Sequence, residues 1–109
     1  METRTIGDIS VVVILPRFDA YTANDVEKVL RDQIAKGLKK IIVDFSTTEY
    51  VASAGLRVLL SAAKSLHNSE GQIVLFSMKP QVHEIFTVSG FNQIFKIYGS
   101  QQEAIEGLK

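Results

Sequence analysis

Ile41-Ile42-Val43-Asp44-Phe45-Ser46, then Thr47-Thr48-Glu49-Tyr50-Val51-Ala52, then Ser53-Ala54-Gly55-Leu56-Arg57-Val58-Leu59-Leu60 decide how this chain folds. The first block is an unbroken run of β-branched and aromatic residues, the pattern of a strand covered on both faces of a sheet. The second is a short polar loop. The third opens a helix, because Leu56, Leu59, Leu60, Ala63 and Leu66 recur at three- and four-residue steps on one face. Ser53 stands where an N-cap belongs, its hydroxyl placed to accept a hydrogen bond from a free N–H of the first turn. A hydroxyl at the positive end of a helix dipole is a place suited to carrying a phosphate.

Working outward, Thr3 to Ile6 and Ile9 to Leu15 are expected strands. Gly7-Asp8 between them is a tight turn, so the pair forms an antiparallel hairpin that Pro16 ends. Thr22 to Lys36 is expected as the first helix, with Val26, Val29, Leu30 and Ile34 as its apolar stripe. Either Thr22 with Asp25 or Asn24 with Glu27 supplies its capping arrangement, and Gly37 fits the left-handed position past its end. Asn68-Ser69-Glu70-Gly71 is a turn cluster, and Ile73 to Phe76 is a further buried strand. Pro80 suits the first turn of a third helix that turns Val82, Ile85 and Phe86 inward and stops at Gly90. Phe91 and the run Ile94 to Tyr98 yield a last short strand, and Ser100 with Glu103 is a capping box for a terminal helix through Leu108.

Strands that alternate with helices imply right-handed parallel crossovers. The expected fold is therefore α/β, with a mixed sheet of about five strands, the first hairpin antiparallel and the rest largely parallel, and about four helices. The 109 residues make one domain, 1–109, and 46% apolar content is enough to give it a core.

Composition narrows the function. Twelve basic and twelve acidic residues cancel, so no basic field attracts nucleic acid or anionic lipid, and neither is expected as a direct partner. The chain has no cysteine, which excludes a thiolate metal site and a cysteine nucleophile. The first residues carry no apolar run behind a basic start, and the longest apolar run, Val11 to Leu15, is far short of a membrane span. A cytoplasmic protein is the expectation. His67 and His83 fall on different expected helices without ligand spacing, so no metal is expected. Phosphate loops, zinc-protease motifs and nucleophile elbows are absent from the sequence, and no cofactor is expected. A small enzyme built on Ser53 or Asp19 lacks catalytic neighbours, so the chain reads as a binding module and not an enzyme.

Asp44-Phe45-Ser46, the aromatic at Tyr50, and Ser53-Ala54-Gly55-Leu56 followed by Val58-Leu59-Leu60 resemble the signature of STAS domains. More narrowly they resemble the bacterial anti-sigma factor antagonists, and the succession of expected elements extends the resemblance over nearly the whole chain. In that family a serine two residues before Gly-Leu is phosphorylated by a partner that is both anti-sigma factor and serine kinase. The resemblance places that role on Ser53. It implies that the unmodified protein binds the anti-sigma factor and frees a sigma factor, that phosphorylation of Ser53 switches binding off, and that a serine phosphatase restores it. The alternative within the same fold is a STAS subunit or scaffold of another complex, such as a cytoplasmic component of a lipid-transport ABC system.

The chain departs from the family pattern at Ala52, where Asp commonly precedes the serine, and at Pro16 and Phe18, where Gly and Leu are usual. Asp19 is expected beside the Ser53 loop, either capping the first helix or contacting the kinase. Asp44, Ser46, Thr47 and Thr48 are expected to satisfy loop backbone groups. Thr47, Thr48 and Glu49 are candidate rim contacts. Ala54 and Gly55 share the same surface. Glycine in a first helical turn costs about 1 kcal/mol relative to alanine, which a close approach by a partner or by neighbouring backbone would rationalise. Arg57, one turn past Ser53, is expected either as a solvated surface arginine, the default for such a position, or as a group that reaches a phosphate or a partner carboxylate.

Overall fold

The opening hairpin forms as its turn residues suggest. β1 (Thr3–Ile6) and β2 (Ile9–Val13) pair antiparallel, Thr3 opposite Val12 and Ile6 opposite Ile9. Gly7 takes φ +60° in the connecting turn, a conformation open to glycine at no steric cost. In this computed structural model, which describes residues 1–108, β4 (Lys40–Asp44), β6 (Gln72–Phe76) and β7 (Ile97–Tyr98) extend the sheet in parallel, in the order β1-β2-β4-β6-β7. The mixed sheet with one antiparallel edge is the expected one.

Alternation along β4 sorts the core into two layers. Ile41, Val43 and Phe45 face α1 (Ala23–Ala35), α2 (Ser53–Asn68) and α3 (Pro80–Val88), together with Val26, Leu30, Leu59, Leu66 and Phe86. Ile42 faces the other way, with Val11, Val74 and Phe76, and is covered by Ala104 and Leu108 at α4 (Gln101–Gly107). Each fully buried large apolar side chain contributes about 1.5–3 kcal/mol, so the three-helix face carries most of the stabilisation. Phe45 meets Phe86 edge-on with centroids 5.8 Å apart, tying α3 to the end of the central strand.

Several local expectations are corrected. The second strand stops at Val13 instead of Leu15, with a bend at Pro16, though the Ile14 N–H still donates to the Asp44 carbonyl at 2.9 Å. Neither capping pair opens α1. The Thr22 hydroxyl is engaged upstream, donating to the Arg17 carbonyl at 2.8 Å and accepting the Asp19 N–H at 3.0 Å, so it is turned away from the first helical N–H groups. The last strand is only Ile97–Tyr98. Phe91–Gln93 closes into a 3-10 turn after Gly90 (φ +82°), because Phe91 and Phe95 stack at 6.2 Å and Phe95 is drawn into the core. At α4 the Ser100 hydroxyl accepts the Glu103 N–H at 3.2 Å as expected, while the Glu103 carboxylate takes the N–H of Gly99 instead of Ser100, at 3.0 Å.

Candidate functional site

Two elements too short to show a period build this site. β3 (Arg17–Phe18) and β5 (Tyr50–Val51) pair in parallel, Phe18 level with Val51. The ladder runs on past them, since the Ala52 N–H donates to the Phe18 carbonyl at 2.9 Å and the N–H groups of Glu49 and Tyr50 both donate to the Pro16 carbonyl, at 2.7 and 3.3 Å. This register carries Asp19, the residue after Phe18, to the level of Ala52 and the start of α2.

The loop before β5 is held from below. Asp44, buried at the end of β4, accepts the Ser46 N–H at 2.8 Å through its carboxylate, as expected of it. The hydroxyls of Thr47 and Thr48 both donate to the Ile14 carbonyl at 3.3 Å. Thr48 is fully buried and its hydroxyl satisfies the Ile14 carbonyl, as expected of a residue that satisfies the loop backbone, while the further expectation that it is a rim contact is corrected by that burial. Thr47 and Glu49 remain exposed on the rim.

Ser53 is exposed, but it is not the N-cap. Ala52 occupies that position with φ −95° and ψ 171°, and Ser53 is the first helical residue. The hydrogen bond from Ala52 to Phe18 keeps Ala52 extended, and its carbonyl then accepts from the N–H groups of Gly55 and Leu56 at 2.9 and 3.1 Å. No side chain caps α2, and no acidic residue lies in its first turn. The Ser53 hydroxyl has no hydrogen-bond partner among the described residues.

Gly55 is buried under the same loop, and packing accounts for it. A Cβ built there would lie 2.9 Å from both Cγ and the carbonyl oxygen of Phe18. Of the two reasons expected for a glycine here, a neighbouring backbone is the one found, and its expected place among the partner contacts is corrected because Gly55 is buried against Phe18. Ala54 is half-buried and Arg57 exposed.

Charges ring the serine. The Asp19 carboxylate pairs with the Arg17 guanidinium at 3.2 Å and accepts the Tyr21 N–H at 3.0 Å. Desolvation pushes its carboxyl up, but the bonds from Tyr21, Arg17 and the Thr22 backbone together outweigh that and hold it below its ordinary value. Arg17 also lies over the Tyr50 ring, 4.9 Å from its centroid, and Lys79 pairs with Glu49 at 3.3 Å. Arg57 has no acidic partner among the described residues.

An open groove of about 450 Å³ runs from Ser53 to α3, lined by Tyr50, Val51, Leu56, Ile85 and Val88 and by the Glu84 side of α3. Val88 is 80% exposed and Tyr21 93%, and sequence reasoning placed neither at the site. Val88 had a signal: it is apolar yet lies off the inward stripe of Val82, Ile85 and Phe86. Tyr21, beside Asp19, had none. His67 and His83 are exposed, and no cluster able to hold a metal occurs among the described residues.

A mixed sheet with one antiparallel edge, and an exposed serine opening the helix after its central strand, define a class: the chain belongs to the STAS domain family, which it matches over residues 1–104. It is 39% identical to BtrV of Bordetella bronchiseptica, which is named as an anti-sigma factor antagonist, over 80% of this chain and 75% of that one. The fold superposes on the crystal structure of TM1081 from Thermotoga maritima, described in the same terms, with a TM-score of 0.91 at 25% identity over 98% of this chain and 92% of that one. The Bacillus cell fate determinant SpoIIAA, solved in its phosphorylated form, shares the fold with a TM-score of 0.77 at 18% identity, covering 99% of this chain and 98% of that one. No described helix is long and apolar enough to cross a membrane.

Proposed function

We propose that this protein is an anti-sigma factor antagonist whose partner binding is controlled by phosphorylation of Ser53. In its unmodified form it binds an anti-sigma factor that is also a serine kinase, and so frees a sigma factor. Phosphorylation releases the kinase, and a serine phosphatase resets the protein. The chain is the substrate of these enzymes and does not itself catalyse a reaction.

The observation that carries this reading is Ser53 itself, exposed at the first position of α2 with no hydrogen-bond partner for its hydroxyl among the described residues, beside a firmly laced loop and at the edge of an open groove. Asp19, Thr47, Glu49 and Arg57 are the polar contacts offered to the partner, with Ala54, Tyr50 and Val88 as apolar ones. A phosphate brings a charge of about −1.5 to −2 and three acceptor oxygens into that surface. The start of α2 tolerates the anion, because helix N–H groups point at it. A docked partner does not, since its facing groups would be desolvated against the new charge. The switch is therefore a change of local charge at an interface, without refolding.

Incubation with the cognate kinase, ATP and Mg²⁺ followed by phosphopeptide mapping tests the assignment. Modification at Ser53 alone is expected; modification at Ser46 or Thr47, or none, overturns it. Capture of a transporter ATPase instead of a kinase would favour a scaffold role for the same fold.

A further inference from the structure

We propose that the phosphate on Ser53 is held within the chain by Arg57, so that phosphorylation withdraws from the partner surface the cation which the unmodified protein presents there. This rests on the reading of Ser53 as the modified residue and adds a second arm to its switch.

Three observations converge on the pair. Ser53 and Arg57 are the first and fifth residues of α2, both exposed, and so lie one above the other on the helix surface, with Cβ atoms about 5–6 Å apart. Long side chains on a helix lean toward its N-terminus, which aims the guanidinium of Arg57 at the turn that carries Ser53. An acid four residues before a base is also the more favourable order for such a pair.

Second, neither group is engaged by another side chain among the described residues, and the acid that shares the groove with Ser53, Glu84 on α3, pairs with no base there. Arg57 forms no ion pair among the described residues, whereas Arg17 and Arg31 are taken by Asp19 and Glu27, each within its own segment. Ala52 brings no carboxylate to the position before the serine, and the first turn of α2 contains no acid. Third, the N–H groups of Ser53 and Ala54 have no hydrogen-bond acceptor among the described residues, while those of Gly55 and Leu56 are engaged by Ala52. A phosphate on Ser53 thus meets unused donors on one side and an unpaired guanidinium on the other. A planar guanidinium can hold two phosphate oxygens at once.

The consequence separates two effects of one modification. The new charge repels what docked on the serine, and Arg57, now bridged to phosphate, no longer meets an acidic side chain on the partner. An aspartate at position 53 reproduces the first effect better than the second, because a short carboxylate reaches less far than a phosphate ester.

The test uses the full chain with phosphoserine installed at position 53 during synthesis, so it does not depend on which kinase acts. The second ionisation of the phosphate, near pH 6 for free phosphoserine, is followed by phosphorus NMR in the parent, in Arg57→Gln and in Lys64→Gln. The parent and Lys64→Gln are expected to titrate together, about half a unit below Arg57→Gln, with the gap narrowing in 1 M salt. Coincident titrations of the parent and Arg57→Gln overturn the proposal, as does an equal displacement by Lys64→Gln, which would show only a general field. Failure of the underlying assignment would appear elsewhere, as a kinase that leaves Ser53 unmodified.

Discussion

Gly55 faces Phe18 with no room for a side chain between them: a methyl group on Gly55 would stand 2.9 Å from the Phe18 carbonyl oxygen, the same oxygen that accepts the Ala52 N–H. One contact thus seats the start of α2 on β3 and fixes where Ser53 emerges. Gly55→Ala sets two effects against each other. Alanine gains about 1 kcal/mol in helix propensity, and overpacking costs about 1–3 kcal/mol. Backbone is among the clashing atoms and gives way poorly, so a net loss of about 1–2 kcal/mol is expected in the denaturant midpoint.

Because Ala52 and not Ser53 is the N-cap, the hydroxyl contributes no cap to lose. Ser53→Ala is expected to leave stability within about 0.5 kcal/mol of the parent and to keep partner binding while abolishing phosphorylation. Ser53→Asp places a carboxylate in an acid-free first turn, so its stability should equal or exceed the parent's by about 0.3–1 kcal/mol while its binding weakens. Denaturant midpoints and calorimetric affinities on both variants check this.

Thr48 and Val88 form a pair of opposite expectations. Thr48→Val removes one of the two hydroxyls that donate to the Ile14 carbonyl, Thr47 keeping the other, and should cost about 0.5–1 kcal/mol of stability, with partner affinity unchanged once the protein is folded. Val88→Asp, at a site 80% exposed, should change stability by less than about 0.5 kcal/mol yet weaken partner binding by putting an unpaired charge beside the groove. Thermal midpoints and calorimetric titrations of the two variants separate the roles.

Asp19 makes stability depend on pH in acid. Its folded-state carboxyl is held below the ordinary value of 3.8, so the unfolded chain binds that proton more tightly. The stabilisation is therefore complete above about pH 4 and is lost as pH falls through the lower folded value. Asp19→Asn should flatten this part of the pH–stability curve, followed by urea midpoints from about pH 2 to about pH 6.

The elements that carry a period were legible in the sequence. Ile41 to Phe45 reads as a strand buried on both faces, and the leucines after Gly55 mark α2 without any knowledge of what packs there. Arg17–Phe18 and Tyr50–Val51 carry no such signal, because two residues cannot show alternation, and it is their pairing that brings Asp19 to Ser53. The displacement of the cap from Ser53 to Ala52 has the same origin. A cap is set by backbone angles, and those of Ala52 are imposed by a hydrogen bond to Phe18, far away in the chain. Thr47 and Thr48 look alike in sequence and both donate to the Ile14 carbonyl; only the folded loop shows that Thr48 is sealed in the core while Thr47 stays exposed.

The most direct test of the account is the affinity of the cognate anti-sigma factor kinase for the unmodified chain and for the chain carrying phosphoserine at position 53, by titration calorimetry at physiological salt. A loss of about 100-fold or more on phosphorylation, with the far-ultraviolet circular dichroism of the free protein unchanged, is expected from a charge placed in a docked interface, equivalent to about 2.7 kcal/mol. Equal affinities for the two forms, or a loss accompanied by unfolding of the phosphorylated chain, would contradict it.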